Sequence, residues 1–150
     1  LKNFLPTIEV LLASIVVSYI GTIIDSYIIP ISLSPLWSGV GMVLVFLGII
    51  VRMWATVAFS RSRVKVLQLS APDTLVQDGP YKFSRNPLYV GIFLMAMGVA
   101  LIFGSLSAVA FSFLLLIFAN WWIKNKEEPS LLNKFGERYA EYMRSTRRWI

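Results

Sequence analysis

LVQDGPYKFSRNPLYVG, residues 75–91, is a short, polar and turn-rich stretch set between long apolar runs. It holds Gly79-Pro80, two tyrosines, Lys82, Arg85 and Asn86-Pro87. Gly-Pro and Asn-Pro dipeptides mark turns. Pro87 suits the first turn of a helix, where its missing N–H costs nothing. The stretch thus reads as a polar loop that ends where a helix begins.

Working outward, the flanks are apolar. Upstream lie Leu5–Ile29 and Leu36–Phe59, each long enough to cross a bilayer. Pro30 and Pro35 bracket an uncharged turn between them, and Arg52 is the one charge inside the second run. Downstream, Pro87–Phe103 and Leu106–Ile123 are separated by Gly104-Ser105. Each of these measures about 26 Å at the helical rise, short but able to span. A close helical hairpin is expected, with a shallow re-entrant pair as the alternative. Ala96, Ala100 and Gly104, at four-residue spacing, suit close helix packing.

Past Lys124 the pattern changes. Leu131, Phe135, Tyr139 and Tyr142 recur at spacings that place them on one helical face. Pro129 is expected to break or kink the helix leaving the membrane. Ser145–Ile150 is basic and carries Trp149, which suits an interfacial anchor. The expected fold is an all-α membrane protein with about four transmembrane helices and an amphipathic C-terminal helix. It forms one unit over 1–150: a helical hairpin at 5–59, a loop at 60–86, a second hairpin at 87–123 and a tail at 124–150.

Charge gives the orientation. Of fourteen Lys and Arg, five lie in the 60–86 loop, seven in the tail and one at Lys2. The connections at 30–35 and 104–105 hold none. Basic residues favour the cytoplasmic side, so both termini and the polar loop are expected there. The net charge of +6 is therefore a matter of topology. It argues against nucleic acid as a partner and for the lipid bilayer. The first apolar run is longer than the core of a signal peptide, so a multi-pass integral membrane protein is expected. Arg52 has three readings: it snorkels to the cytoplasmic edge, pairs with Glu9, or orients an anionic substrate.

The chain has no Cys and no His. Thiolate chemistry is excluded, and so is the usual general base near neutral pH. No metal site is expected. Carboxylates, Arg, Lys, Tyr and amides must carry any chemistry.

In the second half, several pieces recur in a telling order. They are Leu75-Val76, Gly79-Pro80-Tyr81, Arg85-Asn86-Pro87-Leu88-Tyr89-Val90-Gly91, then Glu127-Glu128, Leu131, Phe135-Gly136, Tyr139 and Tyr142. Over roughly residues 74–150 the chain resembles the isoprenylcysteine carboxyl methyltransferase family and the related phospholipid methyltransferases. The resemblance implies S-adenosyl-L-methionine as cofactor, with S-adenosyl-L-homocysteine as product, in a pocket at the cytosolic face. The C-terminal segment closes over that pocket. By position, the binding elements fall on Thr74, Leu75, Val76, Tyr81, Asn86, Pro87, Leu88, Tyr89 and Glu127.

The residue chemistry agrees. Glu127 or Glu128 can pair with the cofactor's ammonium or bond its ribose. Arg85 can meet its carboxylate. Tyr81 and Tyr89 offer rings with polar tips. No residue is assigned as catalytic, and Arg52 and Arg85 are candidates for positioning. Three departures from the family pattern leave the acceptor open. Asn86 stands where a His is frequent, Ile123 stands near an expected Arg, and Pro129 follows the acidic pair. An isoprenylcysteine-like carboxylate, a phospholipid amine or a small thiol all remain as lipophilic or small acceptors. An NADPH-dependent sterol-reductase-like enzyme and a non-enzymatic membrane scaffold are the other readings. Oligomeric state is not readable.

Overall fold

The computed structural model describes residues 5–28, 34, 36–61 and 74–150. The expected turn between Pro30 and Pro35, and Lys2, Arg63 and Lys65, lie outside the described residues. Six α-helices follow in order: α1 (Leu5–Ile28), α2 (Leu36–Arg61), α3 (Pro87–Ile102), α4 (Leu106–Trp122), α5 (Glu128–Phe135) and α6 (Glu137–Ser145). A 3-10 turn at Gly79–Lys82 precedes α3, and a π-turn at Ile123–Glu127 joins α4 to α5. The fold is all-α, with no strand among the described residues.

Among the described residues, three helices are long and apolar enough to cross a membrane: Thr7–Ile28, Leu36–Arg61 and Leu106–Phe135. Their outer faces expose large apolar side chains such as Leu12, Phe46 and Ile117. Small and polar groups turn inward instead. On α1 the buried set is Thr7, Ser14, Ser18, Gly21 and Asp25. This inversion suits a bundle whose outer solvent is hydrocarbon and whose helices meet through small residues.

The remaining apolar helix, Pro87–Ile102, is shorter. At 16 residues, α3 is about 24 Å long, less than the hydrocarbon thickness. The 3-10 turn lies alongside the end of α2. A Cβ on Gly79 would sit 3.1 Å from Trp54 Nε1 and 3.6 Å from Ala58 Cβ. Trp54 lies seven residues before Arg61, roughly 10 Å along the helix. The irregular loop therefore packs against protein, the setting in which such backbone is tolerated at membrane depth.

Helices α2 and α3 touch backbone to backbone. A Cβ on Gly41 would lie 2.5 Å from Gly98 O, and one on Gly98 would lie 2.6 Å from Gly41 O. Gly48 and Gly91 repeat this reciprocal contact at 2.9 and 3.0 Å. Ala96 and Ala100 are buried as expected, but the closest approach comes from these glycines, seven residues apart on each helix. Gly104 serves the turn instead, with a φ of 67°. Ser105 then caps α4 by accepting from the Ala108 N–H at 3.1 Å. Asp25 reaches across from α1 to accept from Ser105 Oγ at 2.7 Å and from the Ser107 N–H at 3.1 Å.

Three expectations are corrected. Pro129 does not break its helix, which runs unbroken from Leu106 to Phe135. The π-turn absorbs it: the Glu128 N–H donates to Ile123 O, five residues back. That extra residue places Pro129 in the first turn of α5, where a missing N–H is tolerated. The tail is two helices and not one, because Gly136 takes a φ of 57° between them. Tyr139 and Tyr142 are buried, whereas Leu131 and Phe135 are only half-buried. Finally, Arg52 neither snorkels nor meets Glu9. It is buried, donating from Nε to Thr7 Oγ1 at 3.2 Å and from Nη1 to Leu88 O at 3.4 Å. Glu9 is exposed.

The glycine contacts can be tested by adding bulk. Gly98→Val forces a side chain against the α2 backbone and is expected to destabilise the fold by about 1–3 kcal/mol. Gly39→Ala, where nothing lies within 4 Å, should be neutral or stabilising by up to about 1 kcal/mol. Thermal unfolding of the two variants in detergent measures the difference.

Candidate active site

The site is built where four segments converge: the loop before α3, the first turn of α3, the π-turn with the start of α5, and the tail after α6. Val76 and Tyr81 anchor the loop in a buried cluster with Ala55 and Ala58 of α2, flanked by Phe59 and Leu88. The Tyr81 ring meets Phe59 edge-on, with centroids 5.2 Å apart. Tyr142 fixes the loop from above, its hydroxyl donating to Tyr81 O at 2.7 Å.

The two acidic residues point to different partners. Glu127 is half-buried and accepts from the Tyr89 hydroxyl, joining the π-turn to α3. Glu128 is buried and accepts both arms of Arg148, Nε at 2.9 Å and Nη2 at 2.8 Å. Arg85 approaches the same carboxylate, with Nη1 3.0 Å from Oε1. That is ion-pair distance without hydrogen-bond alignment: Arg85 Nε and Nη1 are buried donors that lack a hydrogen-bond acceptor. Glu128 is thus locked between two arginines, while Glu127 turns to Tyr89.

The tail crosses over this pair. The Arg85 N–H donates to Arg147 O at 2.9 Å. Ser84 Oγ and Asn86 Nδ2 both donate to Arg148 O, at 3.2 and 3.0 Å. Trp149 donates its indole N–H to Asn120 Oδ1 at 3.1 Å. The last residues are therefore strapped to α4 and to the loop and do not lie free as an interfacial anchor.

Burial and charge set the protonation states. Burial pushes the Tyr81 hydroxyl above the ordinary phenol range, with Tyr142 adding to this and Arg52 opposing it. Tyr139 and Tyr142 are raised for the same first reason, burial. The hydrogen bond to Glu128 raises Arg148 further. The tyrosines are neutral hydrogen-bonding groups, and no general base is evident among them.

Of the residues singled out from sequence, Tyr81, Arg85, Asn86, Tyr89, Glu127 and Glu128 come together here. Pro87 is buried and Leu88 half-buried beneath them, and Val76 belongs to the supporting cluster. Thr74 is exposed and Leu75 half-buried at the loop's entrance. Arg52 lies below, against Leu88 O. Ser84, Asn120, Tyr142 and Arg148 hold the site, yet sequence reading assigned them no site role. Arg148 looked like one more basic residue in a basic tail.

The two carboxylates should separate in a stability measurement. Glu128→Gln leaves the buried Arg85 and the half-buried Arg148 poorly answered and is expected to cost about 3–5 kcal/mol. Glu127→Gln keeps an acceptor for Tyr89 and should cost less than about 1 kcal/mol. Unfolding midpoints in the same detergent compare them.

The comparisons with known proteins bear on this geometry. The model of the family described as phospholipid methyltransferase matches residues 37–138, a range that includes α2, the loop, the Glu127-Glu128 pair and α5. The chain is similar to a probable protein-S-isoprenylcysteine O-methyltransferase of Oryza sativa subsp. indica, 35% identical over 108 residues, covering 70% of this chain and 56% of that protein. It is 36% identical over 105 residues to the protein-S-isoprenylcysteine O-methyltransferase of Saccharomyces cerevisiae, covering 68% and 44%. With that of Xenopus laevis it shares 31% identity over 129 residues, covering 83% and 44%. The chain thus spans about half the length of the curated relatives it matches. The match takes in the helices as well as the motifs, and the resemblance expected from the loop and the acidic pair holds: the chain belongs to the phospholipid methyltransferase family.

Proposed function

We propose that this chain is an S-adenosyl-L-methionine-dependent methyltransferase of the membrane. Its donor cradle faces the cytosol, and its acceptor is lipophilic, of the isoprenylcysteine carboxylate type. The observation that carries this reading is the division of labour between the acidic residues. Glu128 is spent on Arg85 and Arg148, whereas Glu127 stands half-buried beside Tyr89.

The residues fit the donor. Glu127 supplies a carboxylate for its ammonium or ribose hydroxyls. Arg85 brings buried N–H groups without acceptors, which suit its carboxylate. Asn86 and Ser84 hold the tail over the loop and so exclude water from that side. S-Adenosyl-L-methionine, when bound, supplies an activated sulfonium methyl: the acceptor's lone pair bonds to the methyl carbon as the carbon–sulfur bond breaks, its electron pair returning to sulfur to leave S-adenosyl-L-homocysteine. A carboxylate acceptor carries no proton to remove, so a site without His can serve. What the protein contributes is alignment, and holding the two reactants near contact is worth effective molarities of about 10⁵–10⁸ M.

The orientation rests on charge. Arg61, Lys82, Lys124 and Lys126 are exposed, as are Trp121 and Trp122. Basic residues with aromatic neighbours suit a cytoplasmic interface. A phospholipid amine is the alternative acceptor, on the strength of the family match to residues 37–138.

Calorimetry on detergent-purified protein tests the donor. S-Adenosyl-L-homocysteine is expected to bind, and Glu127→Ala and Tyr89→Ala are each expected to weaken it about 10-fold or more with folding retained. Normal binding by both variants would remove these residues from the cradle. Binding of NADPH in place of the homocysteine compound would favour a reductase.

A further inference from the structure

The outer face of α2 carries large apolar side chains at Phe46, Ile50 and Trp54, about one per turn. The next position in that row is Ala58, which is buried. The 3-10 turn covers it: a Cβ on Gly79 would lie 3.6 Å from Ala58 Cβ. The row is then continued from outside the helix. Phe83, one residue past the turn, is 67% exposed, and its ring centroid lies 6.3 Å from that of Trp54. Its neighbours Tyr81 and Ser84 turn inward and are buried. Phe83 thus extends the hydrocarbon-facing surface of α2 with a side chain of the loop.

Positive charge borders this apolar edge. Lys82 precedes Phe83 and is exposed. Arg61 is exposed too; two turns after Trp54, it lies on the same face of α2 and about 10 Å further along. Among the described residues neither forms an ion pair, whereas Arg85, Arg144 and Arg148 do. Asp78, the acidic residue of the turn, stands at the opposite end of it from Lys82. Two exposed rings with cations beside and beyond them call for a partner of matching shape, apolar at one end and anionic at the other. A water-borne anion leaves Phe83 and Trp54 unanswered. An uncharged lipid leaves Lys82 and Arg61 unanswered.

We propose that Phe83 and Trp54, together with Lys82 and Arg61, form a docking surface for an anionic phospholipid of the adjoining leaflet. The Phe83 ring enters the acyl region beside Trp54, and the two cations reach the head group on their long apolar stems. The lipid is a ligand and undergoes no reaction there. It holds the outer side of the turn against α2, as the buried Tyr81 holds the inner side. The loop that carries Arg85 then takes its level from the bilayer surface. This inference does not depend on the donor reading above.

Photocrosslinking reads the occupant directly. The full chain is made with benzoylphenylalanine in place of Phe83, which keeps an aromatic ring there, and is reconstituted into vesicles of equal parts phosphatidylglycerol and phosphatidylcholine. The same replacement at Phe46, eight residues before Trp54, is the reference, and adducts are identified by mass. At position 83, phosphatidylglycerol adducts are expected to outnumber phosphatidylcholine adducts about 5-fold or more, the factor that one basic residue near an anionic surface is worth. At position 46 the two lipids are expected in the vesicle's own proportion. The double variant Arg61→Gln with Lys82→Gln alters exposed side chains only and should bring the ratio at 83 to that at 46. Four results overturn the proposal: no lipid adduct at 83 where 46 gives one, equal labelling by both lipids at 83, a ratio that the double variant leaves unchanged, or an adduct with a second copy of the chain in place of lipid.

Discussion

A single buried carboxylate, Glu128, ties the site together. Its two oxygens face Arg85 from the loop before α3 and Arg148 from the chain's last residues. Burying one charge at such a point is costly unless its partners come with it. Here the partners lie 43 residues before and 20 residues after it in sequence, so satisfying the charge draws three distant segments to one place. Arg148 brings the tail across the loop, where Ser84, Arg85 and Asn86 bind its backbone. Glu127, its neighbour in sequence, turns instead to Tyr89.

This arrangement needs a firm floor, and the glycine contacts between α2 and α3 supply it. Gly41 with Gly98, and Gly48 with Gly91, bring two backbones together in a region where apolar area gives no drive between helices. Close packing there fixes Arg52 against the first turns of α3, since a Cβ on Gly91 would lie 2.9 Å from Arg52 Cβ. The 3-10 turn before α3 then packs against Trp54 and Ala58 of α2. Above it, the π-turn lets α4 carry its helix on to Phe135 despite Pro129, which sets Glu127 and Glu128 toward different partners.

Much of this was legible in the sequence, for physical reasons. Long apolar runs, a first-turn proline and one-sided basic residues are local signals, and they located the helices within a residue or two at most ends. The motifs around Arg85 and Glu127 marked two segments that the fold brings together. What stayed hidden depends on contacts between distant positions. The spacing of Pro129 after Glu128 could not show that a π-turn would shift the helix by one residue. The run from Leu131 to Tyr142 looked like one helical face because nothing in the pattern requires Gly136 to take a positive φ. Arg148 could not be told from the other basic residues of the tail, since its partner lies across the fold. Arg52 was visible as an anomaly, but its partner Thr7 is an ordinary residue of α1. The seven-residue glycine pairs were present to be read, but only the packed structure shows that Gly41 faces Gly98.

The central claim is that the loop at 75–91 and the Glu127 turn are two walls of one donor cradle. Ultraviolet cross-linking of radiolabelled S-adenosyl-L-methionine to the purified protein, followed by peptide mapping, addresses both walls at once. The account predicts label on peptides from residues 75–91 and 120–130, competed away by unlabelled S-adenosyl-L-homocysteine. Label confined to other segments, or label that the competitor does not displace, would contradict it.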